Sequence, residues 1–433
     1  MSISVVILAA GQGTRMKSSL PKVLHKISGR EMLFHVIDAA LGVSDDITVV
    51  LHHQYERIKE AVETEYDGIA FHRQSADTHP GTGGALMGLR YGHEKVLVLN
   101  GDMPLILPSS LEKLSKAEGD IAMSVIELED PSGYGRVMIN ENGVREIVEE
   151  KDCSPEELKT RSVNAGVYLL DRELLHSYIP ALKNDNAQGE YYLTDIISMA
   201  VEDGLKVTPV YVDEEEFKGV NSRYDLAEAE KIMQNRIRRR WMREGVGMQL
   251  PESIYIDCRA RFEGECLLEN GVRIEGECVI ASSHIKAHSV VENSLLVESD
   301  VGPLAHIRPG CSIKKTHIGN FVEVKKGKLD GVKAGHLSYL GDCEIGEGSN
   351  IGAGTITCNY DGKAKHRTII GKNVFIGSDT QLVAPLEVED DVMIAAGTTV
   401  TKNLKKGVLA LSRTPLKSIE NFYYRFFGKK DER

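Results

Sequence analysis

The chain has 433 residues, 42% of them hydrophobic, with 52 Lys and Arg against 64 Asp and Glu and a formal net charge of −12. That length points to two or three domains with ample core, and the acidic balance argues against a nucleic-acid or anionic-membrane partner, so phosphate substrates would need local cations or a metal. No apolar run reaches membrane-spanning length, the first residues lack a basic region and cleavage site, and the seven cysteines form no C-x-x-C pair; no zinc site or disulfide framework is signalled, and a reducing cytoplasm is expected.

The apolar run Ile3 to Ala9 reads as a buried strand that ends in Gly11-Gln12-Gly13-Thr14-Arg15-Met16, followed by Pro21-Lys22. Alternation then predicts a helix near Glu31–Leu41, a strand Ile47–Leu51, a helix Tyr55–Thr64, a strand Gly68–Phe71, a helix near Thr82–Tyr91 and a strand Val96–Leu99. This pattern implies an α/β domain, Rossmann-like, with a mostly parallel sheet and ligands at the carboxyl ends of the strands. The first loop and Asn100-Gly101-Asp102 both lie at such ends and are expected to face one pocket.

The glycine loop is no dinucleotide fingerprint, because Met16 stands where the third glycine belongs, and it lacks the G-K-[ST] close of a Walker A loop. Backbone N–H groups of Gly11 and Gly13 can cradle phosphates, Arg15 adds a planar fork of donors and Lys22 a point charge. Asp102, after a buried strand and before Met103-Pro104, suits either a cap for the next segment or a Mg²⁺ ligand. Leu8-Ala9-Ala10-Gly11-Gln12-Gly13-Thr14-Arg15-Met16 with Pro21-Lys22 resembles the opening signature of sugar-phosphate nucleotidyltransferases, L-x-x-G-x-G-T-R-[ML] and then P-K.

The resemblance implies that Leu8, Ala9, Ala10, Gly11, Gly13, Arg15 and Lys22 handle a nucleotide. It puts Mg²⁺ on Asp102 and on Asn221 of Gly219-Val220-Asn221. It gives Gln74 the base, with Gly81 and Thr82 beside it, and gives Gly135, Glu149 and Asn164 contacts to sugar or ribose hydroxyls. Two places depart from the pattern: the usual Tyr-Gly-Asp reads Asn100-Gly101-Asp102, and the spacing from Gln74 to His79-Pro80-Gly81-Thr82-Gly83-Gly84 is longer.

Leu226, Ala229, Met233, Ile237 and Trp241 recur at helical spacing, which predicts one amphipathic helix over Ser222–Arg243, closed by Gly245 and Gly247. The expected domains are therefore 1–221, a linker helix 222–245, and 246–433. Arg236, Arg238, Arg239, Arg240 and Arg243 read as a solvated face favourable at a helix C-terminus.

Beyond the helix the sequence repeats every six residues. Ile370, Ile376, Leu382, Val388, Ile394 and Val400 form an unbroken run; Leu295, Val301, Ile307 and Ile313 form another, continued by Ile318 and Val324 after a five-residue step, and then by Ile345 and Ile351. A period of six marks a parallel β-helix. Three hexads make a triangular coil with the aliphatics stacked inside, small residues and glycines turning the corners, and each coil stable only against its neighbours.

Two segments interrupt the repeat, Lys325 to Leu340 and Thr355 to Thr368. His336 is the acid–base candidate by its ordinary pKa, although a lone His is more often structural. Arg308, Glu323, Lys325, Tyr339, Asn350 and Lys365 supply cations and hydrogen-bonding groups suited to a sugar phosphate. Ile307-Arg308-Pro309-Gly310, Gly319-Asn320-Phe321-Val322-Glu323, Lys333-Ala334-Gly335-His336, Asn350-Ile351-Gly352-Ala353-Gly354-Thr355 and Cys358-Asn359-Tyr360-Asp361-Gly362 are similar to segments of the bacterial bifunctional N-acetylglucosamine-1-phosphate uridylyltransferase / glucosamine-1-phosphate acetyltransferase family, and the resemblance spans nearly the whole chain.

That resemblance implies a left-handed coil, a homotrimer and two consecutive reactions. Glucosamine-1-phosphate is acetylated from acetyl-CoA; the product, N-acetylglucosamine-1-phosphate, then attacks UTP with Mg²⁺ present. It implies His336 as general base oriented by Glu323, and N–H groups near Ala353 on the oxyanion. Arg308 and Lys325 hold the sugar phosphate, with Lys365 nearby, and Tyr339 and Asn350 hold the sugar. Asn359, Tyr360, Ser378, Ala396 and Arg413 line the acetyl-CoA groove. The short basic tail after Arg413 is expected to cap the coil. Two other readings stand beside this one: a nucleotidyltransferase with a hexad tail and no acetyl transfer, and a non-catalytic regulatory subunit of the same build. His336, with Ala334-Gly335 before it and Tyr339 after it, argues against the first, and the joint presence of Arg15, Lys22, Asp102 and His336 argues against the second.

Overall fold

Ile3–Leu8 is an inner strand of a sheet and is buried along most of its length, as a strand covered on both faces must be. The computed structural model describes residues 2–148, 150–186 and 188–428, and the chain divides into two compact units, Met1–Arg236 and Ile237–Arg433. Along the sheet of the first unit the order is Val207–Tyr211, Ile121–Glu127, Ser162–Asp171, Lys95–Asn100, Ile3–Leu8, Asp46–Leu51, Ala70–Arg73. Val5 and Ile7 pack into one core with Leu33, Val36 and Ile37 of the helix Met32–Leu41; Val6 packs into a second core with Ile196 and Ile197 of the helix Asp195–Glu202. Period-two alternation thus places one helical layer on each face.

The sheet is mostly parallel, as expected: along its seven-strand path Ser162–Asp171 alone runs against the others, antiparallel to both Lys95–Asn100 and Ile121–Glu127. One sequence expectation fails in this unit. The expected helix near Thr82–Tyr91 is a single turn, Gly81–Gly84. Three glycines among its first four residues raise the cost of helix, and Gly88 takes a left-handed φ of 78° that ends any continuation.

The predicted amphipathic helix forms over Arg223–Arg243, and the boundary between the compact units falls within it. Its arginines are not all solvated as expected. Arg236 Nη1 donates to Leu105 O at 2.5 Å in the first unit, and Arg238, which is buried, donates to Ile254 O at 2.8 Å in the second. Each guanidinium thus supplies a backbone carbonyl with a donor, a role that charge counting does not reveal.

The second unit is a prism of three parallel sheets with ten, nine and eight strands, the left-handed β-helix of the hexad expectation. Every strand pairs with the strand one coil on: Tyr255 with Arg273, Arg273 with Val290, Val290 with His306, His306 with Glu323, Glu323 with Tyr339. Ile307, Ile313, Ile318, Val324, Ile370, Ile376, Leu382, Val388, Ile394 and Val400 all point inward. Leu295 does not. Leu296 is the buried member and Leu295 is half-exposed, because the five-residue step lies before Val301 as well as before Ile318. Trp241 and Val246 belong to the prism core at its first coils, with Trp241 edge-on to Phe262 at 5.0 Å. The tail does not enter that core: among residues 411–428 only Tyr424 is not exposed.

Some corner glycines serve a purpose other than the expected positive φ. A Cβ on Gly319 would lie 1.8 Å from Gly335 O, and one on Gly377 would lie 2.4 Å from Ala396 N. Close approach of stacked backbones, not left-handed geometry, excludes a side chain there. Other prism glycines do take a left-handed φ, Gly310 and Gly331 among them, and bulky residues share that conformation, among them Leu304, Phe321 and Leu337 with φ of 56°, 55° and 50°.

Candidate active sites

In the first unit a cavity of about 610 Å³ opens at the carboxyl ends of the central strands, where open α/β sheets bind ligands. It is lined on one side by Leu8, Ala9, Ala10, Gly11 and Lys22, and on the other by Gln74, Gly81, Thr82, Asn100 and Asp102. The strand Lys95–Asn100 delivers Asp102 to its rim. Lys22 Nζ donates to Asp102 Oδ2 at 2.5 Å and to Asn221 Oδ1 at 3.1 Å. Asp102 and Asn221 are far apart in sequence, and Val220 N donating to Asp102 O at 2.8 Å zips their segments together.

The two oxygens therefore converge on one cationic centre. A carboxylate and an amide oxygen, with water and phosphate completing the shell, is the donor set Mg²⁺ prefers, so these residues fit that ion. Among the described residues no group of three or more His, Cys, Asp or Glu side chains could hold a metal, so any ion here would depend on substrate oxygens.

The other expected nucleotide-site residues divide. Gln74 is buried, and its amide nitrogen donates to His79 O and Gly81 O at 3.0 Å each; it holds the longer loop shut on itself. Thr82 Oγ1 accepts from Leu193 N at 3.0 Å. Asn100, standing where the family pattern has Tyr, donates to Gly166 O at 3.2 Å, and the Cβ missing from Gly166 leaves it the room. Asn164 and Gly135 meet through Asn164 N donating to Gly135 O, and Asn164 Nδ2 donates to Tyr168 Oη at 2.6 Å. Arg15 sits on the exposed 3-10 turn Thr14–Met16 that follows the glycine loop. Glu149 lies outside the described residues. His52 and Asp77 line the cavity although composition and spacing did not single them out, and Glu190 lines it too. His52 could have been found, because it follows the strand Asp46–Leu51 at its carboxyl end.

In the second unit Glu323 and Tyr339 stand in register on successive strands of the nine-strand sheet. Arg308 Nη1 donates to Glu323 Oε1 at 2.9 Å, a bond that raises the guanidinium pKa. Lys325 lies beside Lys365, whose hydrogen bond and charge hold its ammonium below the usual lysine range, with Arg308 adding to the effect. Three cations crowding one surface is the preparation of an anion site. His336 ends the strand Lys333–His336 and is exposed. Glu323, expected to orient it, accepts from Arg308 through Oε1.

His336 shares its corner of the prism with the residues expected to bind acetyl-CoA. Ala353, Ser378 and Ala396 follow successive strands of the ten-strand sheet, stitched by Asp379 N donating to Ala353 O at 2.7 Å and Gly397 N to Ser378 O at 2.8 Å. Within the interruption Thr355 to Thr368, a loop joins the strands Ile356–Cys358 and Thr368–Ile370. Asn359 is buried and donates to Asp342 Oδ2 at 2.5 Å, Tyr360 is exposed, and Asp361 accepts from Lys363 N, Ala364 N and the His366 ring, contacts that push its carboxyl well below the ordinary range. Arg413 is exposed at the start of the tail, next to Ser412, whose Oγ accepts from Thr399 N at 3.0 Å. Asn350 lies on the ten-strand sheet, paired with Lys333 and Phe375, a different face from Tyr339.

Comparison with known proteins decides the family. The MobA-like NTP transferase domain model matches residues 5–161, and the bacterial transferase hexapeptide model (six repeats) matches residues 367–402. The chain is 68% identical to the bifunctional protein GlmU of a Sulfurovum species, over 99% of this chain and 100% of that one. It is 62% identical to the GlmU of a Nitratiruptor species, over 99% and 100%, and 61% identical to that of Wolinella succinogenes, over 99% of each. The chain belongs to the bifunctional GlmU family. One GlmU half, the nucleotidyltransferase, falls on the first unit and the other, the hexapeptide acyltransferase, on the second. The chain is accordingly a bifunctional uridylyltransferase and glucosamine-1-phosphate acetyltransferase. Among the described residues no helix is long and apolar enough to cross a membrane.

Proposed function

We propose that the second unit acetylates glucosamine-1-phosphate from acetyl-CoA and that the first unit transfers the uridylyl group of UTP to the product, giving UDP-N-acetylglucosamine and pyrophosphate. The observation that carries the residue assignment is the convergence of Lys22, Asp102 and Asn221 on one point at the rim of the strand-end cavity. There the glycine loop cradles the nucleotide phosphates through its N–H groups, Arg15 and Lys22 neutralise charge on them, and Asp102 and Asn221 hold Mg²⁺. The ion, when bound, acts as Lewis acid and template for the phosphates. The rest is positioning: the sugar phosphate oxygen lies in line with the α-phosphorus and pyrophosphate departs. Gly81, Thr82 and Gln74 bound the base end, and Gly135, Glu149 and Asn164 the sugar end.

In the acetyl site Arg308, Lys325 and Lys365 bind the phosphate. His336 takes the proton from the amine as it attacks the thioester; the C–S bond breaks, the C–N bond forms and coenzyme A leaves. The Ala353 N–H stabilises the oxyanion, Ser378, Ala396, Asn359, Tyr360 and Arg413 contact acetyl-CoA, and Glu323, which accepts from Arg308, orients His336.

We further propose a homotrimer in the cytoplasm. Tyr339 and Asn350 occupy different faces of one prism, so a sugar held by both needs a second copy. The exposed corner residues Leu304, Phe321 and Leu337 precede paired strands and form an apolar ridge suited to that contact. The free cysteines suit a reducing compartment. Incubating the protein with glucosamine-1-phosphate, acetyl-CoA, UTP and Mg²⁺, while following free thiol and pyrophosphate, tests the scheme. Both are expected, and pyrophosphate formation should require thiol release first. Release of one without the other removes one of the two sites.

A further inference from the structure

Asn221 is delivered by a loop rather than a strand end, and something must hold it. One oxygen does most of that: Asp225 Oδ2 accepts from Asn221 N at 3.0 Å, from Ser222 N at 2.9 Å and from Ser222 Oγ at 2.9 Å. Asp225 N donates back to Ser222 Oγ at 3.2 Å. Ser222-Arg223-Tyr224-Asp225 is thus a capping box in which the side chain at the third helical position answers the N-cap residue. An ordinary box satisfies those reciprocal donors and stops. Here the same carboxylate reaches one residue further back and fixes the backbone of Asn221, whose side-chain oxygen lies 3.1 Å from Lys22 Nζ. The turn is anchored again by Arg223 Nε donating to Met16 O at 3.3 Å, at the end of the 3-10 turn that carries Arg15.

We infer that Asp225 is a positioning residue for uridylyl transfer, holding Asn221 at the metal through the first turn of the long helix. The inference rests on the reading of Asp102 and Asn221 as metal ligands. It distinguishes two roles for one carboxylate. A helix cap alone adds stability, whereas an outer partner of a metal ligand sets how tightly the ion is held.

The test uses the full chain and reads divalent-ion binding directly, by paramagnetic titration of Mn²⁺ with UTP present, together with the Mg²⁺ dependence of pyrophosphate release. Asp225→Ala is expected to weaken Mn²⁺ binding about tenfold and to raise the half-saturating Mg²⁺ by a similar factor, as loss of an outer partner does, with thiol release in acetyl transfer unchanged. Asp225→Asn keeps an acceptor oxygen and should restore most of the binding. Ser222→Ala removes the hydroxyl of the box but leaves the Asn221 contact, so it should lower the melting temperature and leave Mn²⁺ binding near that of the unsubstituted protein. Normal Mn²⁺ binding by Asp225→Ala, whatever its melting temperature, overturns the inference. Asn221→Ala separates the two failures: if it weakens Mn²⁺ binding while Asp225→Ala does not, only the positioning role is lost, and if it has no effect the metal reading falls first.

Discussion

Lys22 illustrates how a single side chain joins distant parts of the sequence, since its ammonium sits between an oxygen from a strand end and one from a helix start. Asp102→Ala should abolish pyrophosphate release and leave thiol release intact. His336→Ala should reduce acetyl transfer by about 10²–10⁴-fold, the usual worth of a general base, and spare uridylyl transfer; loss of both activities from either folded variant sinks the two-site scheme. A pH effect belongs to another imidazole. Burial pushes the His35 pKa down, while its Nε2 contact to Ile27 O at 2.9 Å opposes the shift. With the folded pKa below the unfolded one, the unfolded chain binds more protons in between, so stability is full above the ordinary His value near ~6.5 and declines as pH falls below it. In denaturant titrations at pH 7 and pH 5, His35→Gln should lose less stability on acidification than the unsubstituted protein; equal losses would refute this. Asp102 was readable because it follows a buried strand, and Lys22 because it follows the glycine loop closely. Asn221 came only through family resemblance, because nothing in the spacing links it to Asp102. The contact between Arg308 and Glu323 was not legible for a similar reason: the two lie one coil apart, and only the stacking of coils brings them together.

Coils and helices bring a different physics, in which backbone spacing decides. Gly319 and Gly335 look alike in sequence, yet a Cβ on the first meets a carbonyl at 1.8 Å and one on the second meets nothing within 4 Å. Gly319→Ala should therefore destabilise the prism by about 1–3 kcal/mol, with Gly335→Ala close to neutral; equal melting temperatures would remove the close-packing explanation. Leu296→Ala should cost about 2–5 kcal/mol as a fully buried truncation, and Leu295→Ala much less, read by denaturant unfolding. The repeat itself was plain in the sequence because inward aliphatics recur where nothing else is tolerated. Its phase was not, since a five-residue step moves the inward position by one and Leu295-Leu296 satisfies either register. The short turn Gly81–Gly84 was missed as a helix boundary because apolar residues continue past it to Tyr91.

The whole molecule joins a mixed sheet to a stack of coils, an architecture legible from two periodicities and the helix between them. What a single chain cannot encode is the company it keeps. If the acetyl site draws on two prisms, Tyr339→Ala and Asn350→Ala proteins, each inactive in acetyl transfer alone, should regain part of that activity when dissociated and reassembled together. Sites that pair an intact Tyr339 with an intact Asn350 arise only in the mixture, and failure of mixing to restore thiol release would place the site within one chain. The capping turn at Ser222–Asp225 also has a meaning in time. A nascent polypeptide leaves the ribosome from its amino end, so Asn221 and the turn behind it emerge before any coil of the prism has been made. The first catalyst can close before the second has begun to assemble, although the chemistry runs in the opposite order.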